Sequence, residues 1–351
     1  MTSKERVLRN YSFQSVDRFT IDFCAESKVY ALLREHYGVA DDLALMERLH
    51  VDFRYPKPRW IGFPLVDSQG RPTDYFGIPR AGEGDFGYAV VHPLAEVRSV
   101  SEVDAYPHWP SPEMWDYDRY AEDCARFEEH AVLGGAWGWF FEAACELVGM
   151  DRWFLLIHDR PEVAHAILER IAGFMERTSE ILFEKAGRHI DICFTGDDYG
   201  FQTGPMMSVP MFRQFVRPYL QRLYDVGRRH GKPVMHHSCG SVAKWIPTFL
   251  EMGLNILEPV QVRAAGMDAR ELAARYGGRL CFHGSIDTQG TLPFGTPEDV
   301  RREVRERVET FLPYGGLTIA PSQHLMTDIP VANIVAMYDA AYEYAWLAAG
   351  R

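Results

Sequence analysis

KPVMHHSCG, residues Lys232–Gly240, passes from an apolar run into two histidines, a serine, a cysteine and a glycine. A strand buried on both faces reads as such a short apolar run, so the polar residues fall where the strand ends. A helical pattern, SVAKWIPTFLEMG (Ser241–Gly253), follows at once and closes at a glycine. The same succession recurs on either side. DRFTIDFC (Asp17–Cys24), AVLGGAWG (Ala131–Gly138), DICFTGDD (Asp191–Asp198), LNILEPVQ (Leu254–Gln261), RLCFHGSID (Arg279–Asp287) and GLTIAPSQH (Gly316–His324) all read as buried strands. A weaker one, ERLHVDFRY around Val51, brings the total to about eight, the number that closes a (β/α)8 TIM barrel.

Helical patterns separate these strands. DRPEVAHAILERIAGFMERTSEILFEKAG (Asp159–Gly187) predicts a helix with Asp159 as N-cap and Pro161 in its first turn. TPEDVRREVRERVETFLPYGG predicts another, with Thr296 as cap and Pro297 at the first position. Strand and helix in alternation imply a parallel sheet with crossovers. No GxGxxG follows the first strand, which weakens an open dinucleotide-binding sheet. The expectation is a single α/β barrel domain over residues 1–351, with N-terminal helical and hairpin additions. A Gly- and Pro-rich stretch around 60–98 reads as an irregular, hairpin-containing insertion.

Composition narrows the function. The formal net charge of -12 argues against nucleic acid as a partner. No apolar run approaches the roughly 18 residues of a membrane span. The N-terminus, MTSKERVLRNYSF, has no apolar signal core, so a cytoplasmic location is expected. The six cysteines are scattered without a CxxC pair and read as reduced thiols. Association with further copies of the chain is left open.

In a barrel the chemistry sits where the strands end. These ends are polar: Asp197 and Asp198; His236, His237, Ser238 and Cys239; Glu258 and Gln261; His283, Ser285 and Asp287; Ser322, Gln323 and His324. Residues two apart in a strand share a face, so His237 and Cys239 together offer half of a zinc site. A third ligand would come from Glu258, Gln323, His324, Asp197 or Asp198. The plainer alternative is a core histidine beside an inert thiol. Asp197 and Asp198 read either as acid/base or substrate-binding groups or as a cap and loop pair. Glu258 reads as a cation ligand or as solvated. Trp137, Trp139 and Phe140 could wall a planar ligand or belong to the core. GxSxG, HExxH and Walker signatures are absent.

With these residues in view, the chain resembles the uroporphyrinogen decarboxylase superfamily, and within it the branch of cobalamin-dependent methyltransferases. The resemblance runs through VDRFTIDF, GDDYGFQTGPMMSVPMFRQFVRPYLQR, VMHHSCGSV, LEPVQ, FHGSIDTQGTLPFGTPEDVRREV and GGLTIAPSQHLMTDIPVANIVAMYDA. It implies a TIM barrel that uses Zn2+ to move a methyl group between a small methylated compound and a corrinoid carried on a partner protein. In that branch a His-x-Cys pair and a later cysteine hold the zinc. His237 and Cys239 match the pair, but Gln323 stands where the later cysteine is expected, with His324 beside it. Asp197, Asp198 and Glu258 are then expected to orient substrate or complete the metal site. Trp137, Trp139, Gln261, His283 and Asp287 are expected to bind substrate, a methyl ether among the candidates. True decarboxylases carry an arginine-rich N-terminal segment. Here VDRFTIDFCAESK offers only Arg18 and Lys28. A metal-free decarboxylase or lyase, and a non-catalytic binding protein, are the rival readings.

Overall fold

The computed structural model describes residues 1–82, 85 and 87–349. Positions 83, 84 and 86 of the insertion lie outside the described residues, as do 350 and 351. Eight strands form one sheet: β1 (Thr20–Ile21), β2 (Phe53–Arg54), β3 (Ala131–Trp137), β4 (Ile192–Gly196), β5 (Val234–His237), β6 (Ile256–Val260), β7 (Cys281–Ile286) and β8 (Leu317–Pro321). Their spatial order is β1-β8-β7-β6-β5-β4-β3-β2, and every ladder is parallel. That is sequence order read around a ring, the topology of a (β/α)8 barrel.

Helices follow the strands. Helix α1 (Ser3–Tyr11) precedes β1, and the longer helices after β3 to β8 include α2 (Phe140–Val148), α3 (Pro161–Ala186), α4 (Arg217–Arg229), α5 (Ile246–Met252), α6 (Ala269–Tyr276), α7 (Pro297–Phe311) and α8 (Val331–Ala345). Thr296 caps α7 in a reciprocal capping box with Asp299. The cap of α3 differs from the expectation. Asp159 ends the preceding helix, Met150–Asp159, and Arg160 occupies the break. Pro161 disfavours a helical backbone at the residue before it, and Arg160 accordingly adopts φ -142°, ψ 64°. In the insertion, Arg80–Ala81 pairs antiparallel with Tyr88–Ala89, and Arg59–Trp60 pairs with Trp115–Asp116. No helix among the described residues is long and apolar enough to cross a membrane.

The barrel interior is layered. Phe53, Ala131, Leu133, Ile192, Phe194, Met235, Ile256 and Cys281 pack together in the lower layers. Helix α1 plugs the floor by sending Val7 and Tyr11 into this cluster. Two residues beyond Phe53, Met235, Ile256 and Cys281, the inward positions carry chemistry.

The two end strands, β1 and β2, are joined through Asp52. Its N–H donates to the Ile21 carbonyl (2.9 Å), and its carbonyl accepts from Ala131 N–H of β3 (3.0 Å). Its fully buried carboxylate accepts from Ile21 N–H (2.9 Å), Arg6 Nη1 (2.8 Å) and Arg18 Nη1 (2.8 Å). Arg6 also grips Asp17 through two bonds, at 2.6 and 2.8 Å, so two arginines face two aspartates. Breaking a buried ion pair by removing one partner costs about 3–5 kcal/mol. Asp52→Ala is therefore expected to lower unfolding free energy by about that amount, measured by urea denaturation. A loss below about 1 kcal/mol would show that the seam closes without it.

Candidate functional site

The sequence places the site by simple alternation. Counting by twos from Met235, Ile256, Cys281, Phe53 and Thr20 reaches His237, Glu258, His283, Tyr55 and Asp22. All five line one cavity of about 730 Å³ at the C-terminal mouth of the barrel, together with Trp137, Cys24, Lys57 and His324.

Trp137 reaches the mouth through a bulge. The β3–β4 register shifts between Gly134 and Trp137. Gly135 has φ 136°, and a Cβ there would lie 2.5 Å from the Phe194 carbonyl oxygen, so no side chain fits. Trp137 itself has a positive φ of 65° and remains 39% exposed. Its ring centroid is 6.1 Å from that of His237. Trp139 lies in the adjoining aromatic cluster, where its indole N–H donates to the Tyr75 hydroxyl (2.7 Å). Trp137 and Trp139, with Tyr75, Trp115 and Phe174, line a second, apolar cavity of about 410 Å³. Tyr55, Lys57, Trp137 and Phe194 border both cavities.

His237 and Glu258 are register partners on β5 and β6, and Glu258 Oε2 lies 2.6 Å from His237 Nδ1. This turns Nε2 toward Cys239 Sγ at 3.4 Å and Asp198 Oδ1 at 3.7 Å. Cys239 N–H donates to the same Asp198 oxygen (2.7 Å), tying the two strand-end loops together. The ligand atoms of Asp198, His237 and Cys239 all lie within 4.8 Å of one another. Burial disfavours charge on His237, but Glu258 and Cys239 beside it outweigh that and hold its pKa well above the usual imidazole value. Burial pushes Glu258 up, and the His237 imidazolium brings it below the ordinary carboxylate range. Burial raises the Cys239 thiol, with His237 pulling the other way.

The remaining expected residues fall into distinct places. Gln323 Nε2 donates to Cys239 Sγ (2.9 Å), while its carbonyl oxygen accepts from His324 N–H (2.9 Å). The group that Gln323 turns to the sulfur is thus a donor. The His324 imidazole reaches the same Gln323 oxygen at 3.1 Å, and burial pushes its pKa down. Gln261 accepts from Gly240 N–H (2.7 Å) and fixes the loop that carries Cys239. Asp287 lies outside the cavity lining, ion-paired with Arg263 and accepting from Gln289 N–H (2.8 Å). Asp197 turns away from the barrel axis and accepts from Phe141 and Glu142 N–H (2.6 and 3.0 Å), capping α2 from another strand. His236 faces the helices, stacked on Tyr199, and burial pushes its pKa to about 3. His283 meets Asp22 at 3.0 Å, and Tyr55 donates to the same carboxylate. Asp22, Tyr55 and Cys24 were not anticipated from the strand ends. Alternation along DRFTIDFC and VDFRY is the signal that finds Asp22 and Tyr55.

The donor set fits zinc. Bond lengths of about 2.0–2.3 Å at tetrahedral angles place ligand atoms about 3.3–3.8 Å apart. The separations of 3.4 and 3.7 Å around His237 Nε2 match this. A carboxylate behind the ring is the usual support for an imidazole ligand.

A parallel eight-stranded barrel with this mouth defines a TIM-barrel protein whose polar strand ends surround one cavity. The chain belongs to the uroporphyrinogen decarboxylase (URO-D) family, whose model matches residues 96–344. It is 25% identical over 166 residues to a methylated-thiol–coenzyme M methyltransferase of Methanosarcina mazei. That match covers 47% of this chain and 42% of the relative, so the chain spans less than half the length of the curated relative it matches. A solved methyltransferase structure from Methanosarcina mazei is similar over 98% of this chain and 99% of that one. Its TM-score is 0.67 at 17% identity, a likeness of fold.

The two adjacent aspartates should separate experimentally. Asp197→Ala leaves two helix N–H groups without their acceptor and is expected to cost about 2 kcal/mol of stability in chemical denaturation. Asp198→Ala is expected to cost less than half of that. Equal losses would mean that Asp197 is no more a structural cap than Asp198.

Proposed function

We propose that the protein is a zinc-dependent methyltransferase. It moves a methyl group between a small methylated compound, a methyl ether among the candidates, and a corrinoid carried on a partner protein. The observation that carries this is the convergence of Asp198, Cys239 and the cavity-lining His237. The relatives named methyltransferases support the reaction class.

In the demethylating direction the heteroatom–methyl bond breaks with its electron pair staying on the heteroatom, and the methyl would form its new bond to the electron-rich metal of the reduced corrinoid that the partner supplies. Zinc bound here would supply a Lewis acid that stabilises the charge developing on that atom. The chain's own residues do the rest. Glu258 fixes the His237 ring so that Nε2 faces the other two donors. Gln323 places an N–H on the Cys239 sulfur and favours its thiolate. The Asp198 bond to Cys239 N–H holds both loops at a fixed separation. Trp137 at the rim and the aromatic cavity beside it offer an apolar wall for the body of the substrate.

The decarboxylase reading has less support. Arg18 is buried against Asp52 and does not face the cavity, whose lining mixes Arg34, Arg54, Lys57, Arg119 and Arg126 with as many carboxylates, Asp22, Asp42, Asp85, Asp123 and Glu258. A polycarboxylate would need converging cations.

Metal analysis of protein purified without added zinc should find about one zinc per chain. His237→Ala and Cys239→Ala should lose it, and Glu258→Gln should weaken binding about ten- to hundredfold. Stoichiometric zinc in Cys239→Ala would remove Cys239 from the site. With methylcobalamin supplied, methyl transfer should be detected within a panel of thiols, phenols, alcohols and amines. No transfer to any of them would overturn the reaction.

A further inference from the structure

Asp22 stands at the inward position just beyond β1 and is 2% exposed. One of its oxygens is fully occupied. Oδ2 accepts from Tyr55 O–H and from His283 Nε2, 3.0 Å away. His283 cannot turn away, because its Nδ1 is held by the Tyr11 hydroxyl (3.0 Å), which in turn meets Thr318 (2.7 Å). Thr318 meets Thr20 (2.7 Å), and Asn10 of α1 donates to Thr20 (3.0 Å). The orientation of the carboxylate is thus fixed from the barrel floor upward.

The other oxygen, Oδ1, is buried and has no hydrogen-bond partner among the described residues. Buried acceptors are nearly always satisfied. Asp22 lines the same cavity as His237 and Glu258. We infer that Asp22 Oδ1 is the acceptor for a hydrogen-bond donor on the substrate, a hydroxyl or a protonated amine. The substrate then has two recognised ends: a methylated heteroatom toward His237, and a donor toward Asp22. This rests on the proposed function for the identity of the first end only. A site built to bond a donor rejects the analogue that lacks it, which makes Asp22 a specificity residue.

The surroundings dictate the informative variant. In Asp22→Asn the amide oxygen keeps the bonds from Tyr55 and His283 when it takes the Oδ2 position. Its NH2 group then takes the Oδ1 position, so an acceptor becomes a donor. The test is binding, read by ligand-observed NMR, of three probes: guaiacol, a methoxybenzylamine, and veratrole, in which both ring oxygens are methylated. Wild-type protein should bind guaiacol or the amine about ten- to hundredfold more tightly than veratrole. Whichever of the two is preferred names the donor. Asp22→Asn should abolish or invert the preference, whereas Tyr55→Phe, which leaves Oδ1 in place, should keep it. Equal affinities for all three on wild-type protein, or no binding by any, overturns the inference whatever the variants do. Selective binding without methyl transfer would leave this inference standing and remove the proposed reaction. Transfer with no difference between wild type and Asp22→Asn would do the reverse.

Discussion

The mouth of this barrel depends on one carboxylate at the opposite end of two short strands. β1 and β2 contribute only two residues each and are the two ends of the hydrogen-bonded sheet. Asp52 closes the ring between them, with its backbone on Ile21 and Ala131 and its side chain under Arg6 and Arg18. An isolated buried carboxylate would be costly, but here two aspartates balance two arginines and the bonds are direct. The consequence lies above the seam. Asp22 is one residue past Ile21, and Tyr55 is three past Asp52. Closing the ring is what brings the Tyr55 hydroxyl onto the Asp22 carboxylate. Arg18, which from sequence alone could have bound a ligand, is committed to this closure.

Above the apolar layers, the upper inward positions would be prohibitively polar if each stood alone. They are stable because neighbouring strands in register present complementary groups. His237 on β5 faces Glu258 on β6, and His283 on β7 meets Asp22 beyond β1. Each imidazole faces a carboxylate that steadies its ring and polarises its far side. Positions on the other face of the same strands serve the helix layer. His236 is held neutral in an aromatic nest, and Asp197 caps α2. Adjacent residues with the same chemistry therefore do opposite jobs, and the pleat decides which.

The pleat also explains what could be read in advance. The six longer strands announce themselves as apolar runs, and their polar ends mark the mouth. His237, Cys239 and Glu258 follow from that reading as residues at one rim. Asp22 and Tyr55 lie beyond the two-residue strands β1 and β2, and alternation along DRFTIDFC and VDFRY pairs them with Thr20 and Phe53 without saying which face is inward. Only the assembled barrel, with Thr20 and Phe53 facing inward, gives their parity. Trp137 was legible as an aromatic, but its aim was not. A two-glycine bulge whose geometry depends on the Phe194 carbonyl redirects it. The choice between Asp197 and Asp198 was likewise closed to sequence, because both lie beyond the last paired residue of β4. Their roles depend on α2 packing behind one of them.

The glutamine that stands where a cysteine was expected takes on a different meaning in this geometry. A His-Cys-Cys set would bring two thiolates, and loss of one would leave a site with a single negative charge. Asp198 supplies the second charge from another strand, 3.7 Å from the His237 nitrogen. The proposed set, imidazole, thiolate and carboxylate, therefore matches the charge of a zinc ion as the two-cysteine set does. Its softness differs. An oxygen ligand donates less electron density than sulfur and leaves the ion a harder acid. Gln323 pushes the same way, since its N–H draws charge from the remaining sulfur. A harder, more electron-poor zinc has more affinity for oxygen than for a thioether or thiol. The departure from the two-cysteine pattern thus argues for a methylated oxygen compound as substrate rather than for an inactive barrel.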